Sequence, residues 1–287
     1  MAEKYQKIRY DSHPAFHLHH TYGRDAGSST LGHLHTNNTL MLIYFRQGIG
    51  TIKIEGHHYD INPGDAILLN PSEVFLCTVA STHYHERIVL YINDRFLSGT
   101  LYSAGSLFRP FHDRQQGIGN YISASILEEH HIDNTICQLT EAARDTTQNG
   151  QLLAFAKLIE LLVNLSRISP SEPQPTPEYS QGHAQINAIL AHLGQHFKEI
   201  ISIEQVASHF GVSQSRLCHL FKEHVGISLW NYVILRRLHA FNTLVQAGHS
   251  IEDACWNVGF QNYSNFFRLY KKHMGMTPLQ FKQQANK

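Results

Sequence analysis

The chain has few of the features that mark secreted, membrane-spanning or metal-cluster proteins. Its four cysteines form no C-x-x-C pair, which excludes a zinc-cluster framework and predicts small buried side chains in a reducing compartment. No apolar run approaches the roughly 18 residues of a membrane helix. Residues 1–14 also lack the apolar centre of a signal peptide. We therefore expect a cytoplasmic protein with no membrane partner.

The formal net charge is zero, but basic and acidic residues are distributed unevenly along the chain. The chain has 23 Lys and Arg against 23 Asp and Glu. From Tyr179 to Lys287, 10 basic residues accompany 5 acidic ones, so this third carries +5 and the remainder −5. A basic segment favours a polyanionic partner, although charge alone does not identify nucleic acid.

Proline is scarce except in one stretch. Four of the nine prolines lie within ISPSEPQPTPEYSQ, residues 168–181, at Pro170, Pro173, Pro175 and Pro177. Such a stretch cannot form a helix and favours an extended spacer. We predict a linker over 169–181, between an N-terminal domain of 1–168 and a C-terminal domain of 182–287.

Before this linker, a β-type pattern is followed by a helical one. The runs LMLIYF, GTIKI, AILLN and RIVLYI, with turns at EGHH and NPGD, predict a sandwich or barrel over about residues 15–96. From about residue 119 to 168 the pattern is helical, and LLAFAKLIELLVNLSRI is apolar around most of its circumference. We expect one side to pack on the β-part and the other on a second copy of the chain, which predicts a homodimer. Burial of this helix within one subunit is the alternative.

After the linker, the sequence contains two loose copies of one helical pattern. Ile203, Glu204 and Gly211 match Ile251, Glu252 and Gly259 at an offset of 48. The stretch 220–228 matches 269–277 at an offset of 49, so the second copy has one more residue in the turn after its first glycine. Hydroxyl N-caps are predicted at Ser202, Ser250 and Thr277. Each copy predicts a short helix, a glycine turn and a second helix of roughly eleven residues, the pattern of a helix-turn-helix.

The second helix of each copy separates into two faces. Leu217, Leu220 and Phe221 in the first copy, and Phe266, Leu269 and Tyr270 in the second, are expected to face the core. The opposite faces hold Gln214, Ser215, Cys218, His219 and Lys222, and Tyr263, Ser264, Phe267, Arg268 and Lys271. Short polar donors, an arginine and a distal lysine suit base edges and phosphates in a major groove, whereas solvated helix faces are the simpler alternative.

A single helix is predicted between the copies. Residues 228–248 contain no helix breaker before Gly248, and a helix of this length spans roughly 30 Å. It would hold two recognition helices in successive major grooves, about 34 Å apart, if the DNA bends a little.

These segments resemble a known family. IEDACWNVGF and FFRLYKKHMGMTPLQF, with RRLHAF in the connecting helix, give residues 186–281 a resemblance to the double helix-turn-helix domain of AraC-type bacterial transcription regulators. The resemblance implies base contacts from Ser215, Cys218 and His219, and from Ser264, Asn265 and Arg268. Cys218 and His219 depart from the longer polar residue and the arginine that are usual in the family.

The segment 40–71 resembles the cupin-like jelly roll that many AraC-type regulators place before the DNA-binding part. In sugar-sensing members an arginine near the first hairpin reaches into the barrel, which assigns that role to Arg46. Its expected companions around a small polar effector are His33, His35, Asn37 and Tyr44. The positions of the cupin metal ligands hold His35, Asn37, Met41 and Phe75, so we predict no metal, no cofactor and no catalytic residue.

The predicted fold is therefore α+β with two domains, a cupin-like jelly roll with a helical dimerisation segment and an all-α double helix-turn-helix. The predicted function is a homodimeric bacterial transcription regulator that binds promoter DNA and RNA polymerase. It is predicted to respond to a small molecule such as a carbohydrate. Activation is predicted rather than repression, because activators are the more frequent kind in the family it resembles. Two alternatives remain, a cupin-type metal enzyme with a DNA-binding tail and a DNA-binding dimer that needs no effector.

Overall fold

The computed structural model describes residues 6–23, 30–32, 39–79, 84–101, 104–168 and 181–285. A β-rich N-terminal domain precedes a helical C-terminal domain. The strands are β1 (Gln6–His13), β2 (Phe16–Gly23), β3 (Thr30–Gly32), β4 (Leu40–Gln47), β5 (Gly50–Ile54), β6 (His57–Ile61), β7 (Ala66–Leu69), β8 (Phe75–Val79), β9 (His85–Ile92) and β10 (Tyr121–Ile122). Residues 169–180 of the predicted Pro-rich linker lie outside the described residues, and Gln181, its last predicted residue, already begins a helix.

The strands form two antiparallel sheets, with orders β1-β2-β9-β4-β7-β10 and β3-β8-β5-β6. This confirms the predicted jelly roll, and the four apolar runs appear as β4, β5, β7 and β9. The sheets extend beyond the predicted range of 15–96, because β1 begins at Gln6 and β10 lies at Tyr121–Ile122. The predicted EGHH turn is shorter than expected, since His57 and His58 already belong to β6.

The strands of the larger sheet have two buried faces. Met41, Ile43 and Phe45 of β4 point between the sheets, in a core shared with Ile52 and Cys77 of the smaller sheet. The alternate residues Leu40, Leu42 and Tyr44 belong to a second core formed with the N-terminal helices. Alternate side chains of one strand therefore pack in two different cores, one between the sheets and one beneath the helices.

The helices of the N-terminal domain cover the outer face of the larger sheet. They are α1 (Asp94–Thr100), a 3-10 helix (Ala104–Phe108), α2 (Arg109–His112), α3 (Ala124–Glu129), α4 (Ile132–Ala142) and α5 (Gln148–Arg167). In α5, Leu158, Leu161, Leu162 and Leu165 are buried in the second core. Phe155 and Ile159 are half-buried against the same core, so much of the predicted second apolar face is covered within one subunit. Leu152 and Leu153 remain 59% and 53% exposed.

The C-terminal domain consists of α6 (Gln181–His196), α7 (Ile203–His209), α8 (Gln214–Val225), α9 (Leu229–Gln246), α10 (Ile251–Asn257), α11 (Tyr263–Met274) and α12 (Pro278–Ala285). The predicted duplication is confirmed, because α7 and α10 both have 7 residues and α8 and α11 both have 12. The extra residue is also where it was predicted. Gly211 is two positions before the N-cap Ser213, whereas Gly259 is three positions before the N-cap Asn262.

The predicted N-caps are confirmed by their hydrogen bonds. The side chains of Ser202, Ser250 and Thr277 accept from the backbone N–H three residues later, at 3.3, 3.0 and 3.2 Å. The predicted connecting helix is α9, which begins after the N-cap Ser228 and ends two residues before Gly248.

One core joins all helices of this domain. Buried residues from Ile186 in α6 to Phe281 in α12 form a single apolar cluster. Buried Arg237 of α9 donates to the carbonyl oxygens of Phe197, Lys198 and Ile200, at 2.9, 3.3 and 2.6 Å, just beyond the end of α6. A guanidinium suits this position because its several donors pair with backbone carbonyls that lie outside any helix. None of the described helices is long and apolar enough to cross a membrane.

Candidate DNA-binding and effector sites

The first candidate recognition helix is α8. Ser213 caps it by accepting from the Arg216 N–H at 3.3 Å, and Gly226 ends it at a φ of 87°. Leu217 and Phe221 are fully buried and Leu220 is half-buried, which confirms the predicted inner face. On the other face Gln214, Ser215, His219 and Lys222 are exposed and Cys218 is half-buried.

The second candidate recognition helix, α11, repeats this geometry. Asn262 caps it by accepting from the Asn265 N–H at 2.9 Å. Phe266 and Tyr270 are buried, and the Tyr270 hydroxyl donates to Asn242 Oδ1 of α9 at 2.7 Å, which fixes α11 on the connecting helix. The outer face exposes Tyr263, Ser264, Asn265, Phe267, Arg268 and Lys271.

These two faces have the chemistry of a duplex-binding surface. Arg268 Nη2 donates to Asn265 Oδ1 at 3.1 Å, so a guanidinium and an amide lie together on the first turns of α11. Guanidinium and amide groups are the side chains that bind guanine and adenine edges in a major groove. Lys222 and Lys271, further along each helix, can neutralise phosphates. Arg216, an exposed cation in the first turn of α8, was not among the predicted contacts, although the sequence repeat already placed it in the second helix of the first copy.

Of the five predicted effector residues, only Tyr44 and Arg46 lie in the described part of the chain, and neither faces the barrel interior. His33, His35 and Asn37 lie outside the described residues. Tyr44 faces the helices, where burial raises its pKa to about 12 and the nearby Cys137 and Asp133 act in the same direction. Arg46 lies on the same side of the sheet as Tyr44. It pairs with Glu86 at 2.9 Å, and the same carboxylate pairs with His20 at 2.8 Å. The prediction that Arg46 reaches into the barrel is therefore wrong, because its pairing with Glu86 places it on the face of the sheet that the helices cover.

A different arginine faces the space between the sheets. Arg87 of β9 is 3% exposed and lies between Thr21 of β2 and Phe45 of β4 in the strand register. His19 and His85 are buried on the same sides of their strands. This group was not predicted from the sequence, although RIVLYI begins with an arginine in an apolar strand.

One further feature, a cleft, lies outside the barrel interior. A cleft of about 530 Å³ separates β7 and β10 from α2 and the end of α5, and its lining includes Leu68, Ile122, Leu165, Arg109 and Arg167. Across the described residues, no three His, Cys, Asp or Glu side chains are grouped so that they could hold a metal ion.

The two domains share a polar contact that the sequence did not reveal. Glu55, buried at the β5–β6 turn, accepts from the Val74 N–H at 2.8 Å and from the Tyr232 hydroxyl of α9 at 2.7 Å. Arg236 donates to the Ser72 carbonyl at 2.8 Å and lies 3.9 Å from Glu55 Oε1. Val74 belongs to the apolar core of the C-terminal domain. The connecting helix α9 is thus fixed directly to the smaller sheet.

Comparison with known proteins agrees with this architecture. Residues 206–284 match a family model described as a helix-turn-helix domain, and residues 18–162 match an AraC-like ligand binding domain. The chain is 27% identical over 244 residues to the arabinose operon regulatory protein of Salmonella typhimurium, covering 82% of this chain and 80% of that protein. It is 24% identical over 270 residues to the transcriptional activator RhaS of Klebsiella pneumoniae, covering 84% and 95%. Among solved structures, the AraC-like transcriptional activator CuxR is 14% identical, with a TM-score of 0.41 over 88% of this chain and 84% of that one.

Proposed function

Since the chain belongs to the AraC family of DNA-binding transcription regulators, we propose that it binds promoter DNA through the outer faces of α8 and α11. The observation that supports this most is the pair of equal helix-turn-helix units on one apolar core, each with an exposed polar face. The proposed base contacts are Ser215, Cys218, His219, Ser264, Asn265 and Arg268. Gln214, Lys222, Tyr263 and Lys271 contact the flanking bases and backbone.

Arg268→Ala tests this proposal. Loss of one base-contacting guanidinium is expected to cost about 1–3 kcal/mol, which weakens binding to the cognate site by about 5- to 150-fold. The cognate site is found by genome-wide footprinting of the tagged protein, and affinity is measured by fluorescence anisotropy at one fixed salt concentration.

The matched control is Arg144→Ala. Arg144 is also an exposed arginine with a partner three residues away, Glu141 at 2.9 Å, but it lies in the turn after α4 of the N-terminal domain. Unchanged affinity in Arg268→Ala, or an equal loss in both variants, would remove α11 as a recognition helix.

The N-terminal domain is proposed to bind a small polar effector that controls DNA binding. Relatives named for the arabinose operon support a carbohydrate or a chemically similar molecule, and relatives named as activators support activation. An effector acts only if it binds one arrangement of the domains more tightly than another. The Glu55–Tyr232 contact supports a direct route from the β-domain to the connecting helix.

Homodimerisation and contact with RNA polymerase complete the proposal. Two exposed leucines on α5, at positions 152 and 153, support a dimer contact through the N-terminal helices. The effector-independent alternative predicts that no member of a panel of sugars and small metabolites changes either melting temperature or operator affinity.

A further inference from the structure

Arg87 has two buried guanidinium nitrogens, Nε and Nη1, that no described residue pairs with a hydrogen-bond acceptor. Its side chain projects between the two sheets of the N-terminal domain, on the same side of β9 as Val89 and opposite to Ile88. No described residue accepts a hydrogen bond from Nε or Nη1, and both atoms are inaccessible to water. A buried donor left unpaired is costly, and a buried charge left unpaired is far more costly.

The carboxylates buried in the described part of the chain are all engaged elsewhere. They are Glu55, Asp65, Glu73 and Glu86. Their donors are Tyr232 for Glu55, the backbone N–H groups of Asn62 and Ala124 for Asp65, Arg114 for Glu73, and Arg46 for Glu86. Glu86 is the neighbour of Arg87 in sequence, but it points to the opposite face of the sheet. None of these carboxylates therefore balances Arg87.

Among the described ionisable neighbours of Arg87, neither Cys77 nor Tyr91 supplies a negative charge. Burial raises the pKa of the Cys77 thiol to about 11, and the positive charge of Arg87 only partly opposes this. Burial likewise raises the pKa of Tyr91 above its usual value of 10, with Arg87 again opposing the shift. Both groups are neutral at pH 7, so neither balances the charge of Arg87.

We propose that Arg87 is the anchor for an anionic small molecule, one bearing a carboxylate or a phosphate, bound between the two sheets. A guanidinium forms strong charge-assisted hydrogen bonds with either group. The ligand would remove the penalty of the unpaired charge, so its binding is coupled to the stability of the domain. This inference rests on the proposed function, because it identifies the bound anion with the effector. It restricts the class of effector from polar molecules in general to anions.

The first experiment needs no knowledge of the ligand. Full-length protein is dialysed until native mass spectrometry shows no bound small molecule, and its melting temperature is compared with that of Arg87→Met. Replacing an unpaired buried cation by an apolar side chain of similar length should raise the melting temperature by about 2–6 °C. A fall of several degrees would mean that the chain itself pairs Arg87, and it would overturn the inference. Arg46→Met is the control on the opposite face of the sheet, where loss of the Glu86 pair should lower the melting temperature slightly.

The second experiment uses defined anions at constant ionic strength. Wild-type protein is titrated with inorganic phosphate and with D-galacturonate, and neutral D-galactose serves as the uncharged comparison. At least one anion should raise the melting temperature of the wild type, D-galactose should not, and Arg87→Met should respond to none. Arg87→Lys, which keeps the charge, should retain a weaker response if Arg87→Met fails to fold. Response to phosphate alone, or to galacturonate alone, identifies the anionic group.

A wild type that ignores both anions, or an Arg87→Met that responds as the wild type does, would overturn the inference. Operator binding is measured in the same samples. Intact operator binding without an anion response refutes only the anionic ligand, whereas absent operator binding refutes the proposed function.

Discussion

Gly259 is where the second helix-turn-helix comes closest to the chain that follows α6. Its φ of +90° lies in the left-handed region, and a Cβ at this position would overlap the carbonyl oxygen of Lys198. That carbonyl also accepts from Arg237. A side chain at residue 259 therefore meets both backbone strain and a backbone atom that is fixed in place.

Gly259→Ala is expected to lower the free energy of unfolding by about 3 kcal/mol or more, because strain and overlap add. Gly275→Ala is the matched control, since Gly275 has a φ of +68° but a Cβ added there would meet no atom within 4 Å. It should lose only about 1–2 kcal/mol from strain. Urea unfolding of both variants measures the difference, and equal losses would show that the Lys198 carbonyl moves aside.

His239 makes the stability of the C-terminal domain depend on pH. Burial lowers the pKa of this imidazole from 6.5 to about 4, and Arg236 acts in the same direction. Between these two values the unfolded chain binds a proton that the folded chain does not, so stability falls as pH decreases from 6.5 towards 4. The contribution is on the order of 2–3 kcal/mol.

His239→Gln should therefore lose this part of the acid sensitivity. Urea unfolding at pH 7 and at pH 4.5 gives the change in stability for wild type and variant. The wild type should lose more stability over this interval than His239→Gln. Parallel losses would assign the acid sensitivity to other groups.

At the scale of single elements, α5 has an apolar surface that its own subunit leaves uncovered. Leu152 and Leu153 are more than half exposed, about one and a half turns before the buried Leu158. Two adjacent exposed leucines favour contact with a second apolar surface. If this surface forms the dimer, a charge there would be buried without a partner.

Leu153→Glu is expected to weaken the dimer by at least tenfold, as measured by light scattering after size-exclusion chromatography over a dilution series. Gln148→Glu adds the same charge to an exposed position of the same helix and should leave the dimer intact. A dimer that survives Leu153→Glu would place the subunit contact elsewhere.

The elements of the C-terminal domain were predictable because their signals are local. Caps at Ser202, Ser250 and Thr277 and glycines at 211 and 259 determine where helices begin and end, and the duplication confirmed each assignment. The strands β1, β2, β3, β6, β8 and β10 were not among the four predicted runs, because strands are stabilised by partners distant in sequence. The assignment of Arg46 failed for a related reason. Its parity along β4 decides which face it occupies, and sequence alone left that parity unresolved.

At the scale of the whole molecule, the Glu55–Tyr232 contact decides how firmly the domains are joined. The Tyr232 hydroxyl binds a buried carboxylate, and its loss leaves Glu55 Oε2 without that donor. Hydrogen bonds to charged groups contribute about 1.5–3 kcal/mol. Tyr232→Phe should therefore shift the molecule towards separated domains.

Glu178 lies in the predicted linker and is followed by Tyr179, so the bond between them allows a direct measurement. Cleavage of native protein by a glutamyl endopeptidase at this site should be about tenfold faster in Tyr232→Phe. Tyr270→Phe removes an equally buried hydroxyl, but its partner Asn242 lies in the same domain. It should lower stability without faster linker cleavage. Equal cleavage rates in Tyr232→Phe and wild type would show that the domains are held by other contacts, such as that of Arg236 with the Ser72 carbonyl.

The single core of the C-terminal domain has a consequence for the operator itself. The 18 residues of α9 extend only about 27 Å, and Arg237 and the shared core prevent the two units from moving apart. The groove repeat of a straight duplex is about 34 Å. If the two recognition helices lie no farther apart than the ends of α9, the DNA must supply the shortfall, and base pairs that no side chain touches then influence affinity through their stiffness. Two operators with identical contacted bases would then differ in occupancy according to the elasticity of the segment between them.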